Sequence, residues 1–113
     1  MKIYHNPRCS KSRQTLALIE AYGENHDIIE YLKSPISIDE LRSILEMLKL
    51  HPIQLVRKNE EIWKENFKEK NLSDDEILKT MVAYPKLIER PIVVKNGKAI
   101  IGRPPENVLI LIR

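Results

Sequence analysis

The stretch His5-Asn6-Pro7-Arg8-Cys9-Ser10-Lys11-Ser12-Arg13 gathers the residue types that nucleophilic chemistry needs. A short apolar strand, Lys2-Ile3-Tyr4-His5, runs into an Asn-Pro turn. The single cysteine follows, and then a helix begins. The first amides of a helix have no intrahelical acceptor, and the positive end of the helix dipole stands behind them. A thiol placed there loses its proton more readily, and the thiolate is the attacking species. Ser10 and Ser12 add hydroxyls, while Arg8, Lys11 and Arg13 add positive charge. The pattern reads as a nucleophile set in an anion cradle. A lone cysteine is commonly a small buried hydrophobe instead, but the polar, basic flanks argue against that here. His5 fits equally well as a core histidine at a strand end or as a group tuning the thiol. Solubility accounts for Arg8, Lys11 and Arg13 nearly as well as the site does, and Ser10 reads as a helix cap.

A chain of 113 residues is expected to form one domain, 1–113, with a real core. The formal charge of +3, from 19 basic and 16 acidic residues, is too small and dispersed to indicate nucleic acid. One cysteine excludes an internal disulfide and a cysteine-rich zinc site, so a redox cycle at Cys9 requires an external thiol. His5, His26 and His51 lack metal-ligand spacing, and there is no glycine-rich phosphate loop. Neither a metal nor a bound cofactor is indicated. With no signal-peptide core and no apolar run of membrane-spanning length, a cytoplasmic location without membrane contact is expected.

The elements that must position the cradle follow in order. Leu16, Ile19 and Tyr22 recur at helical spacing and stop at Gly23, and Asp27 to Tyr31 reads as a strand. Strand, helix, strand over this length is a βαβ unit with parallel strands and a right-handed crossover. Ser37 with Glu40 and Ser73 with Glu76 mark capping boxes before two amphipathic helices. Pro52 opens a short helix between them, and His51 to Tyr84 reads as strand-free. Charged Glu60 to Lys70 reads as a solvated helix face anchored by Ile62, Trp63 and Phe67. Pro91 to Val94 and Lys98 to Ile101 flank Asn96-Gly97, a strong type I′ hairpin signal. A final helix follows Gly102-Arg103-Pro104-Pro105. The expected architecture is α/β and thioredoxin-like: a small mixed four-stranded sheet flanked by helices. A helical insertion at about 37–84 separates its βαβ and ββα halves. In that architecture the proline opening the third strand, here Pro91, is expected to be cis.

Four motifs carry a resemblance: His5-Asn6-Pro7-x-Cys9-x-x-Ser12-Arg13-x-Thr15-Leu16, Leu55-Val56-Arg57-Lys58, Glu89-Arg90-Pro91-Ile92-Val93-Val94 and Gly102-Arg103-Pro104. In this order and spacing the chain resembles the arsenate reductase family coupled to glutathione and glutaredoxin. Its length resembles the short chromosomal members, for which arsenate is a less secure substrate, more than the longer plasmid-type ones. The resemblance implies Cys9 as nucleophile, His5 and Ser12 as groups that hold its thiolate, and Arg57, Arg90 and Arg103 as oxyanion ligands. It further implies arsenate as substrate, glutathione as co-substrate and glutaredoxin as partner; a monomer is expected. Guanidinium forks suit a tetrahedral oxyanion. Taken singly, Arg57 could instead face a helix C-terminus, Arg90 could be an exposed charge and Arg103 a loop cation.

Two other readings stay open at this point. The thiol could act on glutathione mixed disulfides, with the arginines holding glutathione carboxylates. A regulator that binds RNA polymerase shares the fold and the Arg-Pro-Ile strand start. Its Cys-x-x-Cys switch is missing here, because Ser12 stands at the second position.

Overall fold

In the computed structural model, which describes residues 1–112, the sheet is assembled from both ends of the chain. Strand β1 (Lys2–Tyr4), helix α1 (Ser10–Ala21) and strand β2 (Asp27–Ile29) form the βαβ unit. Strands β3 (Ile92–Lys95) and β4 (Lys98–Ile101) form the hairpin. β1 pairs in parallel with β2 and antiparallel with β3, so the order across the sheet is β2-β1-β3-β4. This is the mixed four-stranded α/β arrangement of a thioredoxin-like fold. Asn96 and Gly97 both take positive φ, as a type I′ turn requires. The central strands bury Ile3, Ile92 and Val93 completely, and Ile3 and Val93 pack with Ile19, Val108 and Leu111.

Residues 35–89 form a second unit, built of helices joined by turns and slightly wider than the insertion expected. It comprises α2 (Ile38–Leu48), α3 (Pro52–Leu55), α4 (Glu61–Asn66) and α5 (Asp74–Ala83), then a 3₁₀ turn at Pro85–Leu87. Ser37 Oγ accepts from the Glu40 amide at 3.1 Å. The Ser73–Glu76 box is closed in both directions, at 3.0 and 3.2 Å. Each cap satisfies amides that the helix start leaves open. α5 packs on α2 and α3 through buried Ile77, Leu78 and Met81. Trp63, Phe67 and Tyr84 stack in series, with 5.8 Å between successive ring centroids. Val56 and Ile88 pair as an isolated antiparallel bridge, the one departure from a strand-free reading of this region.

α1 begins at Ser10, directly after the cysteine as expected; Cys9 is extended and its carbonyl accepts the Arg13 amide at 3.0 Å. Other boundaries differ from those expected. β1 and β2 end at Tyr4 and Ile29, although the His5 amide still donates to Ile29. The terminal helix is a 3₁₀ turn, Pro105–Val108, running into Leu109–Ile112. The Arg90–Pro91 bond is cis as expected, and so is Arg103–Pro104. Among the described residues no helix is long and apolar enough to cross a membrane.

Gly102 sits where β4 leaves the sheet beneath α1. A Cβ there would lie 2.5 Å from Thr15 Oγ1 and 2.8 Å from Pro91 Cγ. Gly102→Ala should therefore destabilise the fold by roughly 1–3 kcal/mol through overpacking. Urea unfolding of the variant beside the parent checks this, and an unchanged midpoint would show that the contact relaxes freely.

Candidate active site

Strand register brings three distant segments to one edge of the sheet. Tyr4 lies opposite Ile92, and Ile92 opposite Ile101. The chain therefore leaves β1 toward Cys9, enters β3 after Arg90, and leaves β4 toward Arg103, all at the same edge.

The Cys9 turn is held by its own polar groups. Asn6 Oδ1 accepts the Arg8 amide at 3.0 Å, and the Asn6 carbonyl accepts the Cys9 amide at 3.0 Å. Arg13 Nη1 donates to the Pro7 carbonyl at 2.9 Å, tying the helix to the turn. Cys9 itself, not Ser10, is the N-cap of α1, and only 8% of it is exposed. Burial alone pushes the thiol up. The Ser12 amide, the Arg90 guanidinium and the Lys11 amide outweigh it, leaving the thiol below its ordinary value. Arg103 Nη1 lies 3.8 Å from Cys9 Sγ, the long end of an N–H···S contact, and also donates to the Arg90 carbonyl at 3.2 Å.

His5 and Ser12 are both buried and meet directly, His5 Nδ1 lying 2.6 Å from Ser12 Oγ. The Asn6 amide donates to the same hydroxyl oxygen at 3.0 Å. Burial lowers the His5 pKa, nearby Glu30 opposes this and Arg13 reinforces it, so the net shift favours the neutral ring. Ser12 thus acts on the sulfur through its backbone amide while its hydroxyl is engaged with His5 and Asn6.

Arg57 belongs to the helical unit. Its Nη1 lies 3.2 Å from Glu60 Oε1 and its Nε lies 3.6 Å from Glu89 Oε1, two partners the sequence reading did not foresee. The Arg57 amide donates to the Leu87 carbonyl at 2.7 Å.

Two side chains left without a role by the sequence reading support the Arg103 turn. Buried Thr15 Oγ1 lies 2.8 Å from the Lys11 carbonyl and 3.3 Å from the Gly102 carbonyl. Asn107 Nδ2 donates to the carbonyls of Ile101 and Arg103, at 3.3 and 3.2 Å. For Thr15 the available signal was a hydroxyl one residue before Leu16, on the helix's inward side. For Asn107 there was none. A thiolate between amides and guanidinium groups can attack the centre of a tetrahedral oxyanion or the sulfur of a mixed disulfide.

A model of the ArsC family matches residues 4–111. The chain is 47% identical to the uncharacterised Escherichia coli protein YfgD, over 99% of this chain and 96% of that one. It is also 47% identical to an arsenate reductase of Haemophilus influenzae, over 95% of this chain and 94% of that one. A solved arsenate reductase from Vibrio cholerae superposes with a TM-score of 0.92 at 49% identity, covering 98% of both chains.

The electrostatics make a direct prediction. The pH midpoint for iodoacetamide alkylation of Cys9 should fall below that of a free thiol. Arg90→Gln should raise it, because a cation that favours the thiolate is lost. Equal midpoints in variant and parent would remove Arg90 from the account.

Proposed function

The chain belongs to the ArsC family, and on that premise we propose that it is an arsenate reductase that works with glutathione and glutaredoxin. The observation that carries the reading is the Cys9 sulfur at the start of α1, with a depressed pKa and the Arg103 guanidinium at 3.8 Å. Arsenate is a tetrahedral anion, and Arg90 and Arg103 offer the forked donors its oxygens require. Arg57 joins them on the strength of the family motif Leu55-Val56-Arg57-Lys58.

In this mechanism the Cys9 thiolate attacks arsenic, an S–As bond forms, and one arsenic oxygen leaves as water after taking up protons. The arginines neutralise the oxygens as charge builds on them. His5 holds Ser12, and the Ser12 amide faces the sulfur. Glutathione next displaces a second oxygen from arsenic, again as water. A glutaredoxin thiolate then attacks the glutathione sulfur, and the electrons of the broken S–As bond remain on arsenic. Arsenic passes from +5 to +3 and a glutathione–glutaredoxin mixed disulfide forms. Water cleaves the remaining S–As bond, freeing arsenite and restoring Cys9. External thiols are required because the chain holds a single cysteine.

Cys9→Ser should abolish arsenite formation while the circular dichroism spectrum stays that of the parent. Omitting glutathione or glutaredoxin should stop the parent enzyme after at most one turnover. The assay should offer arsenate and a glutathionylated peptide side by side. Deglutathionylation without arsenite release would replace this reading with a thiol–disulfide one.

A further inference from the structure

Arg103 reaches Cys9 from a turn that follows an edge strand, and its residue is exposed. A long side chain in that setting loses substantial rotamer freedom when held at one place. What holds its backbone is therefore part of the site.

The turn is gripped from both sides. On the α1 side, the buried Thr15 hydroxyl reaches the Gly102 carbonyl, 87 residues away in sequence. The Gly102 amide donates to the Pro91 carbonyl at 2.9 Å, and the absence of a side chain at 102 permits that closeness. On the other side, the Asn107 carboxamide spans the turn, donating to the residue before Gly102 and to Arg103 itself. The Asn107 amide closes the loop on the Pro104 carbonyl at 3.0 Å. Neither side chain contacts the sulfur in these bonds. Both bond carbonyls within one residue of Arg103.

We propose that Thr15 and Asn107 are positioning residues that set the Arg103 guanidinium against the Cys9 sulfur, Thr15 from the nucleophile's own helix and Asn107 from the turn that follows. Thr15 sits on the helix that Cys9 caps, so its hydroxyl ties that helix to the carbonyl of the residue before Arg103. Its single proton is shared between that carbonyl, at 3.3 Å, and the nearer Lys11 carbonyl, at 2.8 Å, which belongs to the first turn of the helix, whose amide faces the sulfur. The proposal deepens the functional reading above by naming what keeps one of its anion ligands in place. Its test uses no arsenate.

The measurement is the pH midpoint of Cys9 alkylation in Thr15→Val, Arg103→Gln and the double variant, with a thermal melt for each. Arg103→Gln should raise the midpoint and lower the alkylation rate at neutral pH about three- to tenfold. Thr15→Val should move the midpoint the same way by part of that amount, and Thr15→Ser should restore it. The double variant should match Arg103→Gln alone, because Thr15 acts through Arg103. Additive shifts overturn the proposal. So does a parental midpoint in either single variant. If Thr15→Val fails to fold, Asn107→Ala in the same cycle gives the decision by the same criteria. Loss of arsenate turnover in the parent would defeat the functional reading and leave this result standing.

Discussion

A cysteine sulfur shielded from water can hold charge only where the protein solvates it, and this end of the sheet gathers the groups that do so. Taking a charge out of water costs several kcal/mol unless fixed dipoles and counter-charges replace the lost hydration. Around Cys9 the replacements are the Ser12 and Lys11 amides and the guanidinium groups of Arg90 and Arg103. The amides come with the helix start. The arginines come from residues about eighty and ninety positions further along. Only strand pairing can place them, which is why Tyr4, Ile92 and Ile101 stand level across the sheet.

Polar groups near the sulfur divide the work between backbone and side chain. The Ser12 amide faces the Cys9 sulfur and its hydroxyl meets His5, so one buried residue joins thiol and imidazole. Because burial and Arg13 favour a neutral His5, the ring adds little repulsion or attraction of its own toward an incoming anion. The fixed positive charge falls to the guanidinium groups, which stay protonated at any working pH. The helical unit obeys simpler rules. Local caps at Ser37 and Ser73 start its main helices, and apolar faces on α2 and α5 bring them together.

The element order could be read from the chain because each element carries a local signal. Asn96-Gly97 specifies the hairpin, since both residues tolerate positive φ. Ser73 and Glu76 mark a helix start through a reciprocal pair of hydrogen bonds three residues apart. Cys9 stood out because a thiol among basic and hydroxyl residues at a strand-to-helix turn has few structural uses. The cap of α1 was harder to read: serine is the usual capping type, yet Cys9 holds that position and Ser10 opens the helix.

The sequence by itself singled out Cys9 as the candidate thiol, showed that no second cysteine in the chain can pair with it, and gave the order of strands and helices, all properties of residue type or short-range spacing. The tertiary structure decided which groups meet the sulfur and through which atoms. It gave Ser12 two separate tasks, brought Arg90 and Arg103 to the thiol, and paired Arg57 with Glu60 and Glu89. It also brought Thr15 to Gly102 and Asn107 to the Arg103 turn. These contacts depend on strand register and on the close approach that Gly102 permits. A hydrogen bond between groups 87 residues apart leaves no trace in local sequence, because its geometry exists only once the strands have paired.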